Sequence, residues 1–190
     1  MSGTMKIAIA SDHAGFRLKE DLKLLLRELG YEVRDFGTHS ADPVDYPDFI
    51  VPAANAVSRG ECERGIVLGG SGQGEAMVAN KLPGIRCALC HDVTTARLAR
   101  AHNDANMLAL GERVIGNQVA KDAVRAWLDT PFEGGRHQRR LEKLAAVEAQ
   151  TTLANTRTGE QAKRASSEKR GSGTSRRTPA ARKDRRKGGE

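Results

Sequence analysis

The residues in this sequence with the clearest chemical potential lie in and after a glycine-rich segment. Four glycines in the six positions of Gly69-Gly-Ser-Gly-Gln-Gly74 let the backbone approach a ligand closely and aim several N–H groups at one point. The segment does not fit the dinucleotide pattern G-x-G-x-x-G, whose third glycine would fall at Glu75, and no Gly-Lys-Ser/Thr follows as in a P-loop. The spacing favours an oxyanion cradle at the start of a helix over a merely tight turn.

Glu75 begins the helix predicted after this segment. A carboxylate beside a group of backbone N–H donors can take a proton from the carbon next to a carbonyl, while the donors hold the developing enediolate. An acidic residue in a first helical turn also complements the helix dipole without any catalytic role. Residue type and position leave both interpretations open.

Other ionisable side chains stand where predicted elements end. Asp12 and His13 follow the first strand, His102 and Asn103 close the fourth helix, and Arg113 comes after the fifth strand. Asp12 and His13 could move protons on substrate hydroxyls, but an aspartate here could equally be a helix N-cap. His102 could also be no more than a cation at a helix C-terminus.

Two arginines of the last predicted helix stand four positions apart. Arg136 and Arg140 therefore share one helix face. Two guanidinium groups facing a cleft suit a phosphate dianion, which each can bind through two hydrogen bonds. A solvated basic face has the same spacing, and the sequence does not choose between the two.

The elements that must position these residues alternate regularly. Short apolar segments at 6–10, 31–36, 65–68, 85–90 and 107–110 predict strands, and periodic segments at 16–29, 46–58, 75–80, 93–102, 117–128 and 136–151 predict helices. This alternation predicts an α/β fold with a five-stranded parallel sheet, right-handed crossovers and a C-terminal helix. Sites in such sheets lie at the carboxyl ends of the strands.

The net positive charge is confined to the end of the chain. The net charge is +7, yet residues 151–190 hold twelve Lys or Arg and four Asp or Glu, which leaves nineteen basic and twenty acidic residues in 1–150. The terminal segment has no Ile, Val, Met or aromatic residue and a single Leu, so it cannot bury enough apolar surface to offset the entropy of ordering it. We predict a folded domain over 1–151 and a basic, disordered tail over 152–190.

Cysteine content and hydropathy bear on the compartment. Three cysteines, an odd number, argue against a disulfide framework and for a reducing environment. No apolar stretch approaches the roughly 20 residues that span a bilayer, and the N-terminus shows no signal-peptide core. We expect a cytoplasmic protein with no membrane contact.

Six motifs follow one another along the chain: Ser11-Asp-His-Ala-Gly-Phe, Gly70-Ser-Gly-Gln-Gly, Ala79-Asn-Lys, Gly84-Ile-Arg, His102-Asn-Asp-Ala-Asn and Gly134-Gly-Arg-His-Gln-Arg-Arg. Together they resemble the ribose-5-phosphate isomerase B family, which also contains allose-6-phosphate and galactose-6-phosphate isomerases. The resemblance runs from about Lys6 to Gln150. It implies a Rossmann-like three-layer fold, interconversion of ribose 5-phosphate and ribulose 5-phosphate without metal or organic cofactor, and a homodimer or dimer of dimers with sites shared between subunits.

The resemblance also implies a base. Many family members have a cysteine base at the position of Gly69, whereas a subgroup has serine in the glycine loop and glutamate just beyond it. Ser71 and Glu75 match that subgroup. By this resemblance Glu75 takes the C2 proton and returns it at C1 through a cis-enediolate.

The remaining roles are carried over in the same way. The enediolate oxygens would be held by the hydroxyl of Ser71, by the side chain of Asn103 and by the backbone N–H groups of Gly70, Ser71, Gly72 and Gly74. Asp12 and His102 would assist ring opening and proton movement on hydroxyls. The phosphate would be bound by His13, Arg113, Arg136 and Arg140.

Two other functions are also compatible with the sequence. The chain could isomerise another sugar phosphate, such as allose 6-phosphate or a tetrose phosphate, because no motif fixes the depth of the pocket. It could instead be an isomerase-fold scaffold whose basic tail contacts nucleic acid or an acidic partner, since Lys and Arg clusters neutralise phosphates without sequence preference.

Overall fold

The computed structural model describes residues 4–151 and residue 154. The chain divides into two compact units, Met1–Ala145 and Ala146–Glu190. In the second unit the described residues, 146–151 and 154, are helical. We expect disorder over 152–190. Apart from residue 154, these residues lie outside the described part of the chain, and the domain boundary at residue 151 stays a prediction.

The first unit contains the five-stranded parallel sheet that the sequence predicts. Its strands are β1 Lys6–Ser11, β2 Glu32–Asp35, β3 Arg64–Gly69, β4 Cys87–Leu89 and β5 Met107–Gly111, in the spatial order β2-β1-β3-β5-β4. Every neighbouring pair is parallel. The helices between and after them are α1 Phe16–Glu28, α2 Tyr46–Ser58, α3 Gln73–Ala79, α4 Val93–Asn103, α5 Asn117–Asp129 and α6, residues 136–145.

Helices cover both faces of the sheet, which gives three layers. Along β1, Ile7 and Ile9 point into one cluster with α1, α4 and α5, while Ala8 and Ala10 point into the other with α2 and α3. This alternation is the period of two that a strand imposes. Side chains on both faces are fully buried, so β1 appears in the sequence as a continuous apolar run.

Strand order determines where a ligand can enter. After β1 the chain moves outward to β2, and it then returns to place β3, β5 and β4 on the other side of β1. Between β1 and β3 the winding direction therefore reverses. In open α/β sheets such a switch point leaves a crevice outside the carboxyl ends of the two strands.

Two boundaries differ from the prediction. The strand expected at 85–90 is only Cys87–Leu89. The helix expected to begin at Glu75 begins two residues earlier, at Gln73, directly after Gly72, whose φ of +77° is a left-handed conformation that glycine adopts readily. Glu75 still lies in the first turn. Among the described residues, no helix has both the length and the apolar character that crossing a bilayer requires.

Candidate active site

The glycine loop lies directly on the end of the neighbouring strand. A Cβ atom at Gly72 would come within 2.8 Å of the carbonyl carbon of Leu110, and one at Gly111 within 2.6 Å of that of Ser71. Real Cβ atoms essentially never approach other atoms this closely. The glycines therefore allow the loop after β3 to lie against the carboxyl end of β5, with Ser71 exposed. The Oγ of Ser71 accepts a hydrogen bond from the N–H of Gln73 at 3.3 Å.

The carboxylate of Glu75 fills the space above Gly69. Glu75 is only 4% exposed. A Cβ at residue 69 would lie 2.6 Å from Glu75 Oε2, and still closer to Oε1. The carboxylate thus occupies the place where a larger residue 69 would carry its side chain, at the carboxyl end of β3.

The surroundings of Glu75 favour its protonated form. Burial raises the pKa of this carboxyl, its own backbone N–H partly offsets that rise, and the negative charge of Asp12 adds to it. A glutamate whose pKa is raised toward neutrality suits general acid–base catalysis, because it can both take and return a proton.

Asp12 stabilises the turn between β1 and α1. Its Oδ1 accepts hydrogen bonds from the N–H groups of Ala14 at 2.8 Å and Gly15 at 3.1 Å, both ahead of α1. The cap on α1 itself comes from Glu112, whose Oε2 accepts from the N–H of Leu18 at 2.9 Å. Asp12 is therefore a turn residue at the crevice and not the N-cap of α1. The sequence does not identify Glu112 as a capping residue, because there it is only one acidic residue after a strand.

Arg113 and His13 line the same crevice. The Cδ and an Nη atom of Arg113 each lie 3.5 Å from a Cβ position at Gly70, and the N–H of Arg113 donates to the Gly70 carbonyl at 3.0 Å. The Nδ1 atom of His13 lies 3.2 Å from both the nitrogen and the carbonyl oxygen of Val44. These contacts tie the loop after β5 and the segment before α2 to the ends of β1 and β3.

Tyr46 is a candidate that sequence reasoning missed. Its ring packs over Gly74, where a Cβ would lie 2.9 Å from Tyr46 Cζ and 3.2 Å from its hydroxyl oxygen. Gly74 is therefore required for this contact, and the phenol lies beside the residue that precedes Glu75. The only sequence signal is an aromatic residue at the start of the predicted second helix.

His102 and Asn103 lie at the opposite edge of the sheet. They end α4, which begins beyond the carboxyl end of β4 and returns toward the amino ends of the strands. The Nε of Arg86, which precedes β4, donates to the Asn103 carbonyl at 3.0 Å. The nearby Asn106 carbonyl accepts from the N–H of Gly65 at the start of β3.

His102 belongs to a cluster with the beginning of α6. Its ring stacks on that of His137 with centroids 4.2 Å apart and an interplanar angle of 4°. Glu133 Oε2 lies 3.7 Å from His102 Nε2 and 3.6 Å from His137 Nε2. The Nε of Arg136 donates to His137 Nε2 at 3.3 Å, and the positive charge of Arg140 also acts on His137.

One chain therefore holds two separate groups of predicted site residues. Asp12, His13, Gly70, Ser71, Gly72, Gly74, Glu75 and Arg113 surround the carboxyl ends of β1, β3 and β5, and we call them the loop group. His102, Asn103, Arg136 and Arg140 lie at the amino edge, and we call them the α4 group. β3 is six residues long, so the two edges are roughly 16–20 Å apart. One chain alone does not bring them together around a single substrate.

Comparisons with known proteins are consistent with this fold. The sequence profile of the ribose/galactose isomerase family matches residues 7–144. Ribose-5-phosphate isomerase B of Escherichia coli is 47% identical over 143 residues, covering 75% of this chain and 96% of that protein. D-erythrulose-4-phosphate isomerase of Pectobacterium atrosepticum is 43% identical over 150 residues, covering 77% of this chain and 97% of that protein.

A solved structure agrees with the sequence matches. Ribose-5-phosphate isomerase B of Clostridium thermocellum superposes with a TM-score of 0.76 at 52% identity, over 77% of this chain and 99% of that one. The profile match, the relatives and the fold all cover the part of the chain that carries both groups of site residues. This protein belongs to the ribose/galactose isomerase family of sugar phosphate isomerases.

Proposed function

We propose that this protein interconverts ribose 5-phosphate and ribulose 5-phosphate through a cis-enediolate, without a metal or an organic cofactor. The observation that carries the proposal is the buried carboxylate of Glu75 above Gly69, at the start of α3 and beside the glycine loop. A base and an oxyanion cradle at one strand end are what aldose–ketose isomerisation requires.

Glu75 is the base in this proposal. It takes the proton from C2 of the open-chain aldose as the C1 carbonyl becomes an enediolate oxygen, and the same carboxyl then returns the proton to C1. Loss of the proton on O2 and protonation of O1 complete the ketose, so no atom is gained or lost. Because burial raises the pKa of Glu75, its carboxylate is a stronger base than an exposed one, and the carboxyl group so formed holds the proton until it is returned to C1.

The enediolate and the sugar ring need further groups. The Ser71 hydroxyl and the N–H groups of the glycine loop hold the enediolate oxygens, with the Asn103 side chain completing the set. Asp12 and His102 move protons on the hydroxyls during ring opening. The phosphate is bound by four cationic residues: His13, Arg113, Arg136 and Arg140.

These roles require two copies of the chain. The loop group and the α4 group lie at opposite edges of one sheet, so we propose that the loop group of one subunit faces the α4 group of its partner. A symmetric dimer makes two such sites at once, because a two-fold axis repeats every contact. The three cysteines are buried and unpaired, which suits the cytoplasm that we propose as its location.

Turnover of ribose 5-phosphate to ribulose 5-phosphate, measured with excess chelator, tests the activity. We expect robust turnover, and a fall of several orders of magnitude in kcat for Glu75→Gln with KM nearly kept. Glu63→Gln is the matched control, because Glu63 lies ahead of β3, on the side away from the loop group. A Glu75→Gln enzyme within a few-fold of the wild type would remove Glu75 from the role of base.

The choice of substrate needs its own measurement, because a relative acts on a four-carbon sugar phosphate. We expect kcat/KM to be highest for ribose 5-phosphate among ribose 5-phosphate, erythrulose 4-phosphate and allose 6-phosphate. A higher value for either of the others would keep the isomerase chemistry and reassign the substrate.

Mixing two inactive variants tests the shared site. If Glu75 and His102 of one site come from different subunits, subunit exchange between Glu75→Gln and His102→Asn proteins produces hybrids with one intact site. Random exchange then restores about a quarter of wild-type activity, since half of the dimers are hybrids and half of their sites are intact. Activity that stays at the sum of the two inactive proteins would place both residues in one subunit's site.

A further inference from the structure

Three potential metal ligands converge beside the start of α6. Glu133 Oε2 lies between two imidazole nitrogens, 3.7 Å from His102 Nε2 and 3.6 Å from His137 Nε2. One ligand atom from each of the three residues falls within 4.8 Å of the others. Ligands around a tetrahedral zinc ion at 2.0–2.1 Å stand about 3.3 Å apart, so the two Glu133 contacts must shorten by about 0.3–0.4 Å and the widest pair by up to about 1.5 Å to close on an ion.

The cluster is held in place from two sides. The N–H of Glu133 donates to the Ala101 carbonyl at 3.0 Å, which ties the segment before α6 to the end of α4. His137 is buried and packs flat against His102, whereas the side chain of Glu133 is 56% exposed. The cluster is thus packed on its inner side and open to solvent at the carboxylate, which gives an ion a route in.

The imidazole of His137 is suited to act as a ligand. Its Nε2 accepts a hydrogen bond from the Nε of Arg136, so that nitrogen carries a lone pair and not a proton. Metal ions bind imidazole through such a lone pair, so this nitrogen can serve as a ligand once the Arg136 guanidinium no longer occupies it.

We propose that His102, Glu133 and His137 form a binding site for Zn²⁺. Two imidazoles and one carboxylate are ligands of the borderline kind that zinc prefers, and they leave a fourth position for water or another oxygen. Because the rings lie parallel and Arg136 donates to His137 Nε2, zinc binding requires His102 to tilt toward the ion and the exposed Arg136 to turn its guanidinium away. The nearby arginines weaken the affinity by repulsion.

Other thiols and imidazoles compete poorly for zinc. Cys62, Cys87 and Cys90 are all buried, and burial raises the pKa of Cys90 to about 11. Residues 152–190 contain neither His nor Cys. The clearest rival is His39, which lies 3.9 Å from Asp35 and supplies two ligands at most.

Isothermal titration of the purified full chain with Zn²⁺, and with Mg²⁺ as the oxygen-preferring control, tests the site. We expect one Zn²⁺ per chain and no Mg²⁺ binding. Glu133→Gln and His137→Gln should each weaken zinc binding at least about tenfold, because each removes a ligand. His39→Gln, the matched control, should leave it unchanged. Since Glu133 is exposed, its variant remains informative even where His137→Gln fails to fold.

Absence of zinc binding, or binding that neither variant weakens, would overturn the proposal. The binding measurement does not depend on the proposed function. The effect of zinc on turnover does depend on the proposed function: zinc bound to His102 should inhibit isomerisation and compete with the sugar phosphate. Zinc that binds as expected but leaves turnover unchanged would keep the metal site and remove His102 from the reaction.

Discussion

Substitution of Gly69 tests the placement of Glu75 without touching the carboxyl itself. In Gly69→Ala the new methyl group would lie 2.6 Å from Glu75 Oε2 and closer to Oε1, whereas ordinary contacts begin near 3.4 Å. The end of β3 is fixed on both sides by β1 and β5, so the strand cannot move away. The carboxylate must therefore shift by about 1 Å or more.

The size of that displacement predicts a change in kcat. A misplacement of about 1 Å in a reacting group costs about 100-fold, which corresponds to about 2.7 kcal/mol in the activation free energy. We expect kcat for ribose 5-phosphate to fall by about that factor in Gly69→Ala, with a smaller change in KM. Overpacking of the strand end should also lower the free energy of unfolding by about 1–3 kcal/mol.

Steady-state kinetics with a matched glycine control checks this reasoning. Gly116 precedes α5 with φ −70° and has open space where a Cβ would stand, so Gly116→Ala should leave kcat unchanged. If Gly69→Ala acts only through the carboxylate, adding it to Glu75→Gln should cost little more than Glu75→Gln alone. A Gly69→Ala enzyme with wild-type kcat would refute the inferred position of the base.

Two further predictions concern charge. Burial raises the pKa of Glu75 and the charge of Asp12 adds to the rise, so the acidic limb of kcat/KM should lie above the ordinary glutamate value. In Asp12→Asn that limb should move to lower pH, and a pH–rate profile that keeps its position would contradict the coupling. Asp35→Asn should lower the free energy of unfolding by about 1–3 kcal/mol, because the fully buried ammonium of Lys19 loses its contact at 2.9 Å and keeps only the partly exposed Glu20 carboxylate at 3.0 Å. Glu61→Gln, which breaks an exposed pair, should cost less than about 1 kcal/mol by chemical denaturation.

The sheet and most of its elements could be predicted because each buried segment has one dominant period. Ile7 to Ala10 form a continuous apolar run since both faces of β1 are covered. Lys19 shows where such patterns fail. It lies on the buried face of α1 at 0% exposure, where periodicity would place an apolar residue, because Glu20 beside it and Asp35 at the end of β2 neutralise it. Only the three-dimensional pairing of α1 with β2 reveals Asp35 as a partner.

The site was predicted in parts and not as a whole. Residues that directly follow β1, β3 and β5 do meet at one edge, as parallel strands require. His102 follows a helix instead, and eleven residues of α4 rise about 16 Å, enough to return to the other edge of the sheet. That separation could have been read from the sequence. The contact of Tyr46 with Gly74 could not, because nothing in the residue order places α2 over α3.

The position of Glu75 implies that two residues compete for one point in space. A side chain on residue 69 would project from the end of β3 into the volume that the Glu75 carboxylate now fills from the first turn of α3. A base can be supplied there from the strand or from the helix, but not from both. Gly69 is thus more than a flexible loop residue: its missing side chain leaves the space that the glutamate base we propose requires. We therefore expect a side chain at 69 to be compatible with full activity only where that side chain itself supplies the base and the side chain at 75 is shortened.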